Sequence, residues 1–458
     1  MSTLLDAPHF AYPLLSPPSG LPVIPALIFH APLTSDLILL KGVGVATFTR
    51  GSVGNVLDHE QVMKELIIDA PRFTGARTDG TLSYPDDGVN PIPDVNLDGI
   101  LIEGQVTNIQ DYTTFEVDTS GNGLSDGWGS IPTGFTCTRS NIDLPDELVG
   151  SGIYSQSFEN DGTTANAYQI NNVIDVVDNQ DYTISGWIKF DLSSSIDPTF
   201  PLITCGGANL YLSLYYDDVG DGSLVQDWTH FEISKTAVGT GTVGFFRLVR
   251  ATSTDHNFDN VSFAGIQVEP LEFKSSYIKT NLSTETRAGD LLTYPTASNI
   301  DANQGSMIIE FMPYGGEGAL FGAGSDGINY TWLNYSSTDV TFLKMIAGSV
   351  YAVDVTTTIT MNEKHRVGIR WDAVTGMAIW LDGVKGEDIA NFAPLALGSE
   401  MIVGNRIAED YPAFADIRDV QIANYAISDV DMATLTTVPA YVYDNRKVVT
   451  NNGIGVTV

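Results

Sequence analysis

Apolar residues that recur at every second position, in short runs cut by turn residues, constrain this chain more than any other feature. Tyr182, Ile184, Gly186, Ile188 and Phe190 fall on one face of an extended segment, and Thr183, Ser185, Trp187 and Lys189 on the other. Met307, Ile309 and Phe311 repeat the pattern, as do Val367, Ile369 and Trp371, then Met377, Ile379 and Leu381. The last two runs flank Asp372-Ala-Val-Thr-Gly376 and read as a hairpin. Helical periodicity is almost missing. One helix is expected from Ser428, an N-cap with Asp431 three residues on, to about Leu435. Many short strands between turns predict an all-β chain built from jelly-roll sandwiches.

At 458 residues the chain exceeds one compact core. Residues 1–45 read as an extended N-terminal arm: up to about residue 40 there is no Lys or Arg, and Pro8, Pro13, Pro17, Pro18, Pro22, Pro25 and Pro32 interrupt regular structure. Phe10, Tyr12, Leu14 and Leu15 suit it to a groove on a neighbouring subunit, with a disordered tail as the alternative. Residues 46–104 read as a small β adaptor, with breakers at Asp86-Asp87-Gly88 and Asn90-Pro91. Two sandwiches follow at 105–285 and 286–440, then a tail at 441–458.

The 22 basic and 56 acidic residues give a formal net charge of −34, which opposes nucleic acid and anionic membranes as partners. Two cysteines, Cys137 and Cys205, are too few for a disulfide scaffold. No basic n-region precedes an apolar stretch, and no apolar run approaches the ~20 residues that cross a bilayer. The expectation is release by another route, such as lysis, without membrane insertion.

Asp118-Thr-Ser-Gly-Asn-Gly-Leu-Ser-Asp126 places oxygen-bearing side chains at every second position around a glycine turn. Asp118, Ser120, Asn122 and Asp126 occupy loop positions 1, 3, 5 and 9, the Leu124 carbonyl serves position 7, and Gly123 sits at the sharp turn. Calcium is the expected ion. Gly129 stands at position 12, where a bidentate glutamate is missing. An Asp/Asn/Gly-rich surface turn explains the same residues without an ion.

Residues 105 to about 285 resemble a bacterial carbohydrate-binding β-sandwich, on Phe115-Glu-Val-Asp118 with its loop and Gly127-Trp128, Tyr182-Thr-Ile-Ser-Gly-Trp187, Asp227-Trp-Thr-His-Phe-Glu232, Gly239-Thr-Gly-Thr-Val-Gly-Phe-Phe246 and Phe258-Asp-Asn-Val261. That resemblance implies a late carboxylate, here Asp259, completing the calcium site. Residues 305 to 436 look like a concanavalin A-like, laminin-G-type jelly roll, on Ser306-Met-Ile-Ile-Glu-Phe311, His365-Arg-Val-Gly-Ile-Arg-Trp371, Trp380-Leu-Asp-Gly383 and Ala415-Asp-Ile-Arg-Asp-Val-Gln-Ile-Ala-Asn-Tyr-Ala-Ile-Ser428. The order of segments is similar to that of bacteriophage virion proteins of the tail or head appendage type. It runs through Ala46-Thr-Phe-Thr-Arg-Gly51, Ala70-Pro-Arg-Phe-Thr-Gly75, Leu101-Ile-Glu-Gly-Gln-Val-Thr-Asn108, Gln267-Val-Glu-Pro270, Ser276-Tyr-Ile-Lys-Thr280 and Thr286-Arg-Ala-Gly-Asp290. The resemblance implies a virion structural protein, a tail fibre or decoration, whose partners are other virion proteins and copies of itself.

Glycoside hydrolysis needs two carboxylates in one cleft, and no Glu-x-Asp-x-x-Glu strand occurs. Glu310 and Glu363 fall on different elements and read as solvated. His9, His30, His59, His230, His256 and His365 lack paired metal spacing, and no nucleophile elbow or phosphate loop is present. The chain is expected not to be an enzyme, with a polysaccharide depolymerase as the remaining enzymatic reading. Sugar binding asks only for aromatic faces beside carboxylates or amides. Trp128, Trp228, Trp332 and Tyr335 are the candidates, with Trp187, Tyr215, Tyr216 and Tyr330 beside them; for Trp187, Trp371 and Trp380 the core reading weighs more, since strand tryptophans usually fill cores. Adhesion to a host-surface glycan is the expected role, and a purely architectural decoration the alternative. Asp326-Gly327 and Asp382-Gly383 are acidic turns that plain hairpins explain.

Overall fold

A computed structural model describes residues 24–33, 36–57, 62–74, 99–128, 135–160, 168–192, 201–206, 209–215, 225–248, 258–372, 374–390, 394–408 and 410–438. The breakers at 86–91, most of the expected arm and the 441–458 tail lie outside the described residues.

The N-terminal part carries β1 (Leu27–Ala31), β2 (Thr47–Thr49), β3 (Gly54–Leu57), β4 (Met63–Leu66), β5 (Phe73–Thr74), β6 (Gly99–Ile102) and β7 (Val106–Asn108). Then come β8 (Phe135–Ser140), β9 (Ser155–Asn160), β10 (Tyr168–Val176), β11 (Asp181–Leu192), β12 (Pro201–Gly206), β13 (Tyr211–Tyr215), β14 (Val225–Thr236), β15 (Gly241–Leu248) and β16 (Phe258–Glu269). The C-terminal part holds β17 (Glu285–Arg287), β18 (Leu291–Pro295), β19 (Gln304–Pro313), β20 (Gly318–Asp326), β21 (Asn329–Tyr335), β22 (Asp339–Ile346), β23 (Ser349–Thr356), β24 (His365–Asp372), β25 (Gly376–Leu381), β26 (Val384–Ile389), β27 (Glu400–Val403), β28 (Ala415–Ala423) and α1 (Asp429–Thr436).

The chain is all-β in two antiparallel sandwiches. The first stacks a five-stranded sheet, β14-β11-β16-β9-β8, on a four-stranded sheet, β10-β15-β12-β13. The alternation read in β11 holds: Tyr182, Ile184, Ile188 and Phe190 are buried in its core with Phe158, Phe263 and Val268. The second pairs a seven-stranded sheet, β2-β18-β27-β20-β21-β22-β23, with an eight-stranded one, β26-β25-β24-β19-β28-β6-β5, on which β1 also pairs with β28. Met307, Ile309, Phe311, Val367, Ile369, Trp371, Met377, Ile379 and Leu381 all enter its core, because their common parity faces the other sheet. The expected hairpin joins β24 to β25 with Asp372 opposite Gly376. The Ser428 hydroxyl caps α1 by accepting the Asp431 N–H at 3.2 Å.

Domain boundaries differ from the linear arm, adaptor and two sandwiches. Phe29 pairs with Ile422 and Phe48 with Leu292, so β1 and β2 extend the sheets of the second sandwich. Phe73 and Ile417 both pair with Ile100, which sews β5 and β6 into the same sheet. The reason is burial: Phe29, Phe73, Ile100 and Ile102 share one core with Phe311 and Trp371. Residues between β7 and β17 are therefore an insertion, entered and left through adjacent strands, with Asn108 opposite Glu285 and Val106 opposite Arg287.

The motifs that order the chain by resemblance converge at this junction. Arg50, Arg72, Glu103, Arg287 and Asp290, from four of them, are all buried. Arg72 reaches Glu103 at 2.5 Å and also Asp290, Arg287 reaches Glu103 at 2.9 Å, and Arg50 lies 3.4 Å from Asp290. Ser276, from a fifth motif, donates its N–H and hydroxyl to Glu103 at 2.7 Å each. Burial alone would raise the Glu103 pKa, but Arg287, Arg72 and Ser276 outweigh it and hold it at about 2.

Candidate functional site

The Asp118 to Asp126 loop closes on its own hydrogen bonds. The Asp118 carboxylate accepts the N–H of Gly121 at 2.8 Å, Asn122 at 3.3 Å and Gly123 at 2.9 Å, and the Ser120 hydroxyl at 3.0 Å. Arg139 adds a guanidinium contact at 3.4 Å. Five donors meet a carboxylate with about four lone-pair sites. Asp126 accepts the Thr119 N–H and hydroxyl, and the Asn122 carbonyl oxygen accepts the Leu124 N–H. In this geometry the Asp118 carboxylate, the first ligand a calcium ion would need, is committed to the loop's own donors and does not fit an ion. Asp259 gives no help: β16 register puts it level with Asn160, four positions from Gln156, the strand residue that touches the loop. At ~3.3 Å per residue that is about 13 Å along the sheet. The Asp259 side chain lies outside the described residues. Gly123 is required for a different reason: its φ is +85° and a Cβ there would lie 2.0 Å from the Cys137 carbonyl oxygen. Cys137 itself is a free, buried thiol whose pKa burial pushes up to about 11.

Two of the four aromatic candidates are interior. Trp128 is 2% exposed, packs on Phe115 at 5.0 Å and donates its indole N–H to the Tyr112 carbonyl. Tyr335 is fully buried, with its hydroxyl on the Ala413 carbonyl and its ring 5.4 Å from Phe311. Neither ring offers a face to a sugar, so both are withdrawn. The sequence carried the warning for Tyr335: it shares the parity of Leu333, which is core. Trp332, on the opposite parity, is half-buried, with Tyr330 4.4 Å away and the Arg406 guanidinium 4.8 Å over its ring. Trp228 is half-buried and anchored by Asp143, which accepts its indole N–H at 3.2 Å. Tyr216 lies outside the described residues, as does the side chain of Tyr215.

A cleft that the sequence reading missed lies on the outer face of the five-stranded sheet. It encloses about 300 Å³ and is walled by β11, β14 and β16, by the β3–β4 hairpin, and by Tyr314 and Asn362 of the second sandwich. Trp187, a sugar-stacking candidate for which the core reading weighed more, is half-buried and lines this cleft. Parity puts it there, on the face opposite Ile184 and Ile188, and a β-bulge in the neighbouring strand makes room for its ring. Pairing of β11 with β16 slips between Ser185 and Trp187, opposite Gly265 at φ +55°. A Cβ on Gly265 would stand 2.8 Å from the indole, so only glycine lets the ring lie there. The period-two count gave the face of Trp187 but not the room for its ring, for which Gly265 inside a strand pattern was the available signal.

Polar groups gather beside the indole. Ser185, Glu232 and Gln267 occupy one row across three strands, and Trp187 pairs with His230 in the next. The His230 ring meets Trp187 edge-on at 5.0 Å and its Nε2 lies 3.1 Å from Lys274 Nζ. The Glu232 carboxylate is turned to the Lys274 backbone N–H at 3.1 Å. Burial and then the Lys274 charge hold His230 well below its ordinary pKa, while burial lowers Lys274 against the pull of Glu232, Glu269 and Glu147. Behind them Glu269 is fully buried, accepts the Ser275 N–H and hydroxyl and the Gln267 amide, and is pushed by burial up to about 7.

Carboxylates of the second sandwich are engaged. Glu310, read as solvated, is 1% exposed and paired with Arg418 and Arg366, whereas Glu363 is exposed. His30 pairs with Asp419 at 2.8 Å and His365 with Asp382 at 2.7 Å; His9, His59 and His256 lie outside the described residues. Asp382 and Gly383 form the β25–β26 turn, both with positive φ. Asp326 caps its own turn through the Ile328 N–H. No group of three or more His, Cys, Asp or Glu able to hold a metal occurs among the described residues. No helix among them is long and apolar enough to cross a membrane.

No protein-family model matches the chain, and no curated protein sequence matches it. Solved structures match parts of the chain at low similarity. A heptameric SAP-like pentraxin from Limulus polyphemus is 16% identical over 31% of this chain and 72% of its own, with a TM-score of 0.25. The receptor binding domain of botulinum neurotoxin C/D mosaic serotype is 15% identical over 32% of this chain and 40% of its own, at 0.27. A leech intramolecular trans-sialidase, complexed with 2,7-anhydro-Neu5Ac, is 16% identical over 34% of this chain and 27% of its own, at 0.28.

Proposed function

We propose that the chain is a non-catalytic glycan-binding protein and that the cleft beside Trp187 is its binding site. One observation carries this reading: an indole, nine hydroxyl or amide side chains and two carboxylates converge on an open cavity of about 300 Å³ between two sandwiches. Saccharide sites combine an aromatic platform with hydroxyl-directed polar groups in that way. Binding of the full-length protein to an array of bacterial surface oligosaccharides, lost on Trp187→Ala, is the test. Removing the platform is expected to weaken binding at least about tenfold, the equivalent of about 1.4 kcal/mol of ring burial. A silent array would sink the reading. A rise in reducing ends on incubation with host capsule would replace it with depolymerisation.

The setting we propose is a phage particle, supported by the order of motifs from Ala46 to Asp290 that resembles virion appendage proteins. Copies of the chain and other virion proteins are then its partners and the virion its location; electron microscopy of particles labelled with antibody to the chain checks both. A purely architectural decoration is favoured by one finding, the burial of Trp128 and Tyr335 inside their own sandwiches. Particles that adsorb normally when carrying Trp187→Ala would decide for it.

A further inference from the structure

The charge of the buried junction under the cleft runs against that of the molecule. The whole chain carries −34, yet the buried junction under the cleft holds three guanidiniums, from Arg50, Arg72 and Arg287, against two carboxylates, Glu103 and Asp290. Of these, Glu103 reaches the cleft wall already neutralised by Arg72 and Arg287. Lys274 is the lysine on the cleft wall. Lys189, Lys279 and Lys385 each lie within 3.1 Å of a carboxylate. Lys274 Nζ is bonded instead to an imidazole nitrogen, which accepts a hydrogen bond without cancelling charge. Glu232 and Glu147 act on it through their charge, and the Glu232 Oε1 is committed to the Lys274 backbone N–H. Glu269, behind Ser275, keeps its proton up to about neutral pH through burial. Two ammonium hydrogens of Lys274 remain to be donated, next to an indole face.

We propose that the cleft selects acidic saccharides, a sugar stacking on Trp187 while its anionic group accepts hydrogen bonds from Lys274. This rests on the glycan-binding reading above and names the ligand class for the same site. His230 acts as a positioning residue, holding the ammonium beside the indole. A charge-assisted hydrogen bond at a partly desolvated site is worth a tenfold preference or more. Within a strongly acidic molecule the preference should shrink as salt screens the cleft.

The test uses the full-length protein on an array printed with acidic bacterial oligosaccharides in two forms, native and carboxyl-reduced, together with phosphate-bearing ones. Native forms are expected to bind at least about tenfold more tightly than their reduced partners; Lys274→Met abolishes that ratio and Lys274→Arg restores it, with unchanged melting temperatures showing that both variants fold. If phosphate-bearing sugars alone show the Lys274-dependent preference, the anion is a phosphate and the class still holds. Equal binding of native and reduced forms overturns the inference and leaves the glycan reading standing. Binding to none of them overturns the glycan reading itself.

Discussion

Glu269 keeps its proton in the folded protein up to about pH 7, whereas an ordinary glutamate loses it near 4.5. The folded state therefore binds a proton that the unfolded chain releases, and stability falls as pH rises from about 4.5 to about 7, by on the order of 3 kcal/mol. Glu269→Gln should gain on the wild type between pH 5 and pH 8 in denaturant midpoint; a constant difference would refute the linkage. Glu103 works in the opposite sense. Its pKa of about 2 means that its contribution is complete above its unfolded value and is lost as pH falls from about 4.5 toward 2. For Asp118, replacement by alanine removes the acceptor for three backbone N–H groups, so the melting temperature drops equally with and without millimolar calcium. A wild-type melting temperature that climbs with calcium would restore the ion. Sequence alone could place these carboxylates in a loop or strand, but the partners of Glu103 come from residues 72, 276 and 287. No local pattern announces such partners.

Among the elements, strands with a clean period of two were legible, and so was the capped helix. β19, β24 and β25 came out with the right faces because each buries one side against a facing sheet. What escaped were the features that break the period. The bulge at Gly265, which makes room for the Trp187 ring on the cleft wall, left no mark on the alternation of β11, and short β1, β2, β5 and β6 gave too few alternations to betray which sheet they complete. Gly265→Ala tests the bulge directly. Its Cβ must occupy a positive-φ position against the indole, at a cost of about 1–3 kcal/mol, with a shift in tryptophan emission and weaker glycan binding. Unchanged stability and emission would show that the ring has room elsewhere.

Across the whole molecule, the two sandwiches keep separate cores, and the first enters and leaves through the β7–β17 pair. Replacing residues 109–274 with a short Gly-Ser linker should leave a second sandwich that still melts cooperatively, since Asn108 already bonds the Ile278 carbonyl at 2.8 Å and Ser276 stays in place. A molten product on near-ultraviolet circular dichroism would mean that the insertion is structurally required. The ordered motifs could be read as landmarks along the chain; that they meet in one buried cluster could not, because contacts across 200 residues leave no periodic trace.

The pairing of Phe29 with Ile422 also sets a timetable. Strand β1 leaves the ribosome almost 400 residues before its partner β28, an interval of roughly 20–80 s at ordinary rates of synthesis. Over that time the inserted sandwich has every one of its strands available and can finish folding, while Phe29, Phe48 and Phe73 wait with apolar surface uncovered. Such long-range closure makes the last step slow. A nascent chain stalled before residue 415 should thus present a folded insertion on a protease-sensitive, chaperone-accessible base, and completion of the C-terminal strand is the event that seals the molecule.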